Sequence, residues 1–299
     1  MARLSSEPEL PHPSRPIPRR VPRHLVVAGI LFVAVIVGLT WFEVSTVSSH
    51  GIVVRSHFVP GEPPSEPSDP AWETIPALPV PLSGQVITRP VWPEPSAKAL
   101  SIRSMHNGKD ISFLLEWQDA TRNERLTPGV FRDGAAIALP LGNAPAFFCM
   151  GQLDHYLNIW HWKADWQSDV DRRAARTKKK GNKRQGIRRF EVIPRRPSSV
   201  EDLIGGGFST LTSKKRQGRI KGQAEWKRGF WRVVMKRPLT MPGDDLENEA
   251  LLQAGRLQAI AFAVWNGENK ERNGQKAVAP WMQLLIDPVN RPTAASPIE

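Results

Sequence analysis

Short apolar stretches separated by turn residues dominate the chain beyond its first 70 positions, a pattern typical of β-strands. Residues 99–105 and 111–117 flank a His-Asn-Gly-Lys-Asp segment, and residues 223–226 and 230–236 flank Lys-Arg-Gly. An apolar run on each side of a glycine-containing turn predicts a β-hairpin in both places. The remaining apolar stretches, which predict further strands, are residues 135–139, 158–162, 258–265 and 281–286.

Helical periodicity is scarce in this part of the chain. Residues 200–204 and 245–254 are the best candidates for short helices. Strands do not alternate with long helices, so a parallel α/β sheet is not indicated. The sequence therefore predicts a mainly β protein, an antiparallel β-sandwich with short helices.

The longest apolar run lies near the N-terminus. Residues 25–42 contain no charged side chain, and as a helix they would span about 27 Å, the thickness of a bilayer core. Five arginines precede the run and no Lys or Arg follows it before Arg55, so we expect the N-terminus in the cytoplasm and the rest of the chain on the periplasmic side of the cell membrane. A cleaved signal peptide and a buried core helix are the alternatives.

These patterns divide the chain into five parts. We expect a cytoplasmic tail at 1–24, a single-pass transmembrane anchor at 25–42 and a Pro-rich linker at 43–70. A β-sandwich domain at 71–287 and a flexible tail at 288–299 follow.

Positive charge is concentrated in one segment. The chain carries a net charge of +12, but residues 172–189 hold ten Lys or Arg and no acid, and the rest of the chain carries only +2. This run contains no aromatic residue before Phe190, so nucleic acid is not an expected partner. We expect a solvated surface loop, or a surface that docks on acidic protein or anionic lipid.

The residues that carry chemistry form no catalytic constellation. The one cysteine, Cys149, excludes a disulfide scaffold and covalent haem attachment through CxxCH, and its apolar neighbours favour an inert buried thiol. His155 and His161 lack the spacing of a zinc site.

Met150 supplies a soft thioether suited to haem iron, and Gly151 allows a turn or a close approach beside it. In Trp160-His161-Trp162 the two tryptophans share one face of a strand.

Several segments in a fixed order resemble a known family. Its most characteristic stretches here are DPAWE from residue 69, FLLEWQDAT from 113, PAFFCMG from 145, NIWHWKAD from 158 and AFAVWNG from 261, followed by ERNGQK from 271. Together they resemble the haem-b-binding domain of the ethylbenzene dehydrogenase γ subunit. Similar domains occur in the γ subunits of related molybdenum enzymes, including chlorate and selenate reductases and nitrite oxidoreductases. The resemblance covers roughly residues 69–287.

The resemblance implies a β-sandwich that binds haem b through one methionine and one lysine. Met150 matches the methionine position and Lys276 the lysine position by context, with Lys270 as the alternative. A lysine binds iron only as the neutral amine, a form favoured by removal from water and by a nearby cationic metal. Two neutral ligands in an apolar site favour Fe(II) and hence a high reduction potential.

The implied function is a non-catalytic, membrane-anchored cytochrome subunit. It would relay electrons between the iron–sulfur subunit of a molybdopterin enzyme and a membrane carrier or c-type cytochrome. Two alternatives remain open at this stage. One is a carbohydrate-type ligand-binding β-sandwich, which requires Trp160, Trp162 and Trp265 to form an open platform. The other is a structural assembly subunit that has lost its haem.

Overall fold

The computed structural model describes residues 51–142, 150–180, 193–207, 210–241 and 248–289. Strands are the main regular secondary structure of the described residues, and one α-helix, α1 (Ala164–Lys180), is found among them, with a short 3-10 helix at Pro70–Thr74. The strands are β1 (Val53–Phe58), β2 (Leu78–Pro81), β3 (Ser83–Gly84), β4 (Ala99–His106), β5 (Asp110–Gln118), β6 (Gly134–Pro140), β7 (Leu157–Lys163), β8 (Val200–Gly205), β9 (Thr212–Ser213), β10 (Lys221–Lys227), β11 (Phe230–Pro238), β12 (Leu257–Trp265), β13 (Ala277–Val278) and β14 (Met282–Ile286).

Both predicted hairpins are confirmed. β4 pairs with β5 and β10 pairs with β11, each in antiparallel register. The first turn forms because the side-chain oxygen of Asn107 accepts hydrogen bonds from the backbone N–H groups of Lys109 and Asp110. Gly108, which lies between Asn107 and Lys109, adopts φ +83°, a conformation that glycine reaches without steric cost.

Eleven of the fourteen strands of the described residues form one hydrogen-bonded path in the order β10-β11-β5-β4-β1-β14-β12-β6-β7-β8-β9. Off this path, β2 pairs with β4, and β13 pairs with β12 and β3. β12 joins the two halves of the path, because residues 257–260 pair with β14 whereas residues 261–265 pair with β6. The sheet is mixed rather than purely antiparallel, since β1 runs parallel to both β14 and β4.

The position of β1 also corrects the expected linker at 43–70. Residues 53–58 occupy a central place in the sheet, and Val54 and Ser56 are buried there. The neighbouring prolines suggested an extended spacer, but this short alternating stretch precedes them and completes the sheet.

Aromatic side chains fill the space between the two halves of the sheet. Trp162 of β7 lies 4.9 Å from Trp231 of β11 and 6.1 Å from Trp117 of β5, measured between ring centroids. Phe113 and Trp160 meet at 6.0 Å. These edge-to-face contacts belong to one buried apolar cluster, so the tryptophan pair predicted to share a strand face does so, in the main core.

The helix predictions were wrong where they can be compared. Residues 200–204 belong to β8, which pairs with β7 along its length, and residues 249–254 form no helix. The basic run begins within α1 rather than in a loop. The alanine, glutamine, arginine and lysine residues of α1 are good helix formers. The acidic side chain of Asp165 lies in the first turn of α1, where it interacts favourably with the helix dipole.

Some expectations fall outside the described residues. They concern the N-terminal tail and anchor (1–42), Cys149 and nearly all of the C-terminal tail (288–299). Within the described ranges the structure contains no helix with the length and apolar content that a membrane crossing requires.

Candidate functional site

A cavity of about 920 Å³ lies against the face of β6, β7 and β12 that points away from the tryptophan core. Its wall is built from alternate residues of two paired strands, Ala136 and Ala138 on β6 and Ala261 and Ala263 on β12. Because neighbouring small side chains project little from a sheet, they leave a shallow apolar surface that a flat ligand can cover.

Met150 reaches the edge of this cavity from a tight turn. Its carbonyl oxygen accepts a hydrogen bond of 3.0 Å from the backbone N–H of Gly207, two residues after the end of β8. Gly151 follows with φ +80°, and a Cβ at that position would lie 2.5 Å from the carbonyl oxygen of Gly205. Only glycine permits this approach, so the expected turn at Gly151 is confirmed and it holds Met150 against the sheet.

Lys276 reaches the same cavity from a segment that is distant in sequence. It precedes β13, whose Ala277 pairs with Val264 of β12. Antiparallel register therefore brings Lys276 next to Trp265. The Lys276 side chain is buried, and its Nζ lies 3.0 Å from the Sδ atom of Met150. The two side chains singled out from the sequence thus meet at the cavity.

Lys270, the alternative lysine, lies elsewhere. It is exposed in the loop after β12, with φ +59°, and it does not contribute to the cavity wall. The geometry therefore brings Met150 together with Lys276 and not with Lys270.

Two aromatic residues at the cavity were not proposed from the sequence as residues of the haem site. The ring of His161 stacks on Trp265 with 4.6 Å between centroids and 29° between planes. The Nζ of Lys276 lies 5.1 Å from the centroid of Trp265. The alternation of β7 shows that His161 faces away from Trp160 and Trp162, but only the pairing of strands distant in sequence reveals what it contacts.

The comparisons with known proteins agree with this architecture. The family model described as ethylbenzene dehydrogenase matches residues 69–277, more than half of the chain. The chain belongs to this family.

Relatives of this ethylbenzene dehydrogenase family member include three named subunits. A protein of Haloferax mediterranei named as a respiratory nitrate reductase heme subunit, ORF7, is 27% identical over 75% of this chain and 69% of its own length. The chlorate reductase subunit gamma of Ideonella dechloratans is 26% identical over 88% and 96%. The dimethylsulfide dehydrogenase subunit gamma of Rhodovulum sulfidophilum is 27% identical over 75% and 76%.

Among solved structures, one match is a family 9 carbohydrate binding module from Caldicellulosiruptor kristjanssonii in complex with glucose. The TM-score is 0.45 at 10% identity, covering 80% of this chain and 98% of that chain. Trp160, Trp162 and Trp265 do not form the open platform that the carbohydrate alternative requires, since Trp160 and Trp162 are fully buried and Trp265 is 8% exposed.

The electrostatics of the cavity wall combine a buried carboxyl group with a neutral imidazole. Asp133 accepts hydrogen bonds from the backbone N–H groups of Asn123 and Gly267 and from the indole of Trp231. Burial, followed by the nearby Asp119 carboxylate, raises the pKa of Asp133 to about 7 against these hydrogen bonds. Burial lowers the pKa of His161 well below its usual value, and the positive charges nearby act in the same direction, so His161 is neutral at pH 7.

The residues of the cavity fit a haem. The donor pair consists of a thioether and an amine, both of which are known axial ligand types for metals of intermediate softness. The alanine wall is flat and apolar, and the cavity volume falls within the range of sites that hold ligands of cofactor size. Arg89, Arg132 and Arg272 also line the cavity, and their side chains offer donors for anionic groups. A metal ion held by both donors would replace the direct contact between Lys276 and Met150.

Proposed function

We propose that this chain is a haem-binding electron-transfer subunit of an oxidoreductase complex. The observation that carries the proposal is the contact of 3.0 Å between the Lys276 amine and the Met150 sulfur at the edge of a large apolar cavity. The relatives are named as gamma and heme subunits of enzyme complexes, and this chain is likewise a non-catalytic subunit.

In this proposal Met150 and Lys276 would hold a bound haem through its iron, and the haem would supply one reversible Fe(III)/Fe(II) centre. Lys276 would bind through the lone pair of its nitrogen, so it would have to be the neutral amine. The alanine wall excludes water and His161 adds no charge, and both favour the less charged state of the site. With Met150 and Lys276 both bound to it, the metal would leave no place for a substrate.

The finer parts of the proposal concern haem type, partners and location. The haem is of b type, held without covalent bonds, because the single cysteine cannot form the two thioether links of a CxxCH motif. The partners are the iron–sulfur and molybdopterin subunits of the complex, with a c-type cytochrome or membrane carrier as the other electron exchange partner. Residues 25–42 anchor the chain in the cell membrane, with the haem domain on the periplasmic side.

The first experiment is expression of the full chain in a haem-replete host, followed by measurement of haem content and absorption spectrum. We expect one haem per chain, removable by acidified acetone, with the sharp reduced bands of a six-coordinate b-type centre. Met150→Leu keeps the volume and apolar character of the side chain but removes the sulfur donor, so we expect it to fold normally and lose the six-coordinate spectrum. Folded wild-type protein that binds no haem would overturn the proposal.

The partner proposal needs the native complex. Purification of the tagged full chain from its own membranes, followed by mass spectrometry, should recover an iron–sulfur subunit and a molybdopterin subunit in equal amounts. Recovery of the chain alone, or with proteins that contain neither cofactor, would refute this part while leaving haem binding intact.

A further inference from the structure

Trp265 contacts the proposed lysine ligand directly. It is the last residue of β12, and its indole is 8% exposed. The Nζ of Lys276 lies over this ring, 5.1 Å from the centroid, while also lying 3.0 Å from the Sδ of Met150. The lysine nitrogen therefore rests between an aromatic face and the sulfur.

The indole of Trp265 is itself fixed by its neighbours. Its Nε1 donates a hydrogen bond of 3.1 Å to the carbonyl oxygen of Asn273, in the loop that leads to Lys276. The imidazole of His161 stacks on it at 4.6 Å. Gly134 pairs with Trp265 across the strands, and a Cβ there would lie 3.1 Å from the Nε2 of His161 and 3.6 Å from the Trp265 ring. The absence of a side chain at 134 gives the stacked pair its room.

We propose that Trp265, held in place by His161, is a positioning residue that directs the Lys276 amine toward Met150 and the metal between them. This inference rests on the proposed function and adds a component to its site. Trp265 does not bind the metal itself; it acts through Lys276.

The physical need for such a residue follows from the chemistry of lysine. Its four-carbon side chain has many rotamers, and ordering it costs conformational entropy. A lysine free to reach water would also remain a hydrated ammonium, which cannot coordinate. A rigid aromatic face holds the ammonium form in the haem-free protein and restricts the side chain in either protonation state. Its hydrogen bond to Asn273 couples it to the backbone segment that carries Lys276. The amine is therefore already beside the sulfur before a cofactor binds.

The test compares three variants of the full chain. Trp265→Leu removes the aromatic face, whereas Trp265→Phe retains an aromatic face without the indole N–H. The matched control is Trp281→Leu, because Trp281 packs against the same apolar cluster but does not line the cavity. Unfolding curves establish that each variant is folded.

The first readout uses haem-free protein. The acylation rate of the Lys276 amine, followed by peptide mass spectrometry with a small amine reagent, should rise about two- to fivefold in Trp265→Leu, the factor that one aromatic–cation contact corresponds to. Trp265→Phe should lie between wild type and Trp265→Leu, and Trp281→Leu should match wild type. Equal rates in Trp265→Leu and wild type would overturn the proposal.

The second readout uses haem-loaded protein. Trp265→Leu should lose the six-coordinate low-spin spectrum at a higher pH than wild type as the solution is acidified, because an amine that is less well held beside the metal competes less well with its own protonation. Trp265→Phe should restore most of the wild-type behaviour. An unchanged or lower pH of transition in Trp265→Leu would contradict a positioning role. Wild type without haem would refute the proposed function, whereas wild type with haem and an unaffected Trp265→Leu refutes only this inference.

Discussion

The amine nitrogen of Lys276 lies 3.0 Å from the sulfur of Met150, although 126 positions separate the two residues in sequence. One is placed by a glycine turn that abuts the end of β8, the other by the pairing of β13 with β12. Both side chains line the apolar cavity. The contact between the sulfur and the amine is the basis of the proposed haem site.

Adjacent alanines on β6 should respond in opposite ways to enlargement. Ala136 faces the cavity, while Ala135 is fully buried in the tryptophan core. We expect Ala136→Leu to fill the cavity and abolish haem binding with little loss of stability in haem-free protein. Ala135→Leu should lower the free energy of unfolding by about 1–3 kcal/mol through overpacking.

Haem titration and denaturant unfolding of both variants provide the check. Full haem binding by a folded Ala136→Leu protein would place the haem somewhere other than this cavity.

Gly134 should be intolerant of even one methyl group. A Cβ at this position would lie 3.1 Å from the Nε2 of His161 and 3.3 Å from the carbonyl oxygen of Trp162. Gly134→Ala should therefore displace the stacked imidazole and weaken haem affinity. Gly142→Ala is the control, because no atom of the described residues, apart from its chain neighbours, lies within 4 Å of its Cβ position. Equal haem affinities of the two variants would show that the stack tolerates displacement.

Asp133 should make the stability of the haem-free protein depend on pH. Its pKa is raised from 3.8 to about 7, so the folded state binds a proton that the unfolded state releases. The contribution of this group is greatest below pH 4 and is lost as the pH rises toward 7. Burial raises the pKa of Asp119 as well, which contributes with the same sign.

Asp133→Asn isolates this effect. The variant should be less stable overall, since its amide cannot accept all three hydrogen bonds, but its free energy of unfolding should fall less between pH 4 and pH 7 than that of wild type. Denaturant curves at several pH values measure the slope. Parallel profiles for the two proteins would mean that Asp133 remains ionised throughout this range.

Arg237 belongs to a buried network of charged side chains, and its replacement should lower the free energy of unfolding. Its side chain is fully buried, lies 5.0 Å from the Trp160 ring centroid and donates hydrogen bonds to Glu249 and to the carbonyl of Ala250. Burial lowers its pKa to about 10, so it stays charged at neutral pH. Arg237→Met should lower the free energy of unfolding by about 3–5 kcal/mol.

The exposed ion pair of Arg55 with Asp287 gives the comparison. Arg55→Met should change stability by less than about 1 kcal/mol, because water and salt screen this pair. Similar losses in the two variants, measured by thermal or denaturant unfolding, would contradict the distinction between buried and exposed charge.

Local pattern was sufficient to predict most of the sheet. Each hairpin has its signal within about 20 residues, and the alternation around Trp160 and Trp162 indicates which face enters the core. The central place of β1 and its parallel pairing with β4 and β14 could not be read in this way, because they depend on contacts between distant segments. The helical start of the basic run was missed because its charge suggested a solvated loop.

The candidate site, like the sheet, could be predicted from the sequence only in part. Met150 and Lys276 were singled out by resemblance to a family, and the context of Lys276 favoured it over Lys270. The alanine wall and the stack of His161 on Trp265 arise only when β6, β7 and β12 lie side by side. Single alanines in apolar strands carry no signal of a cavity, since the same residues occur in solid cores.

Haem titration of two lysine variants tests the central claim most directly. The full chain carrying Lys276→Ala is compared with the chain carrying Lys270→Ala, both prepared haem-free and titrated with haem while the spectrum of the bound state is recorded. The account predicts that Lys270→Ala gives the wild-type six-coordinate spectrum and that Lys276→Ala gives a five-coordinate or weakly bound haem. A six-coordinate wild-type spectrum in Lys276→Ala, with its loss in Lys270→Ala, would contradict the account.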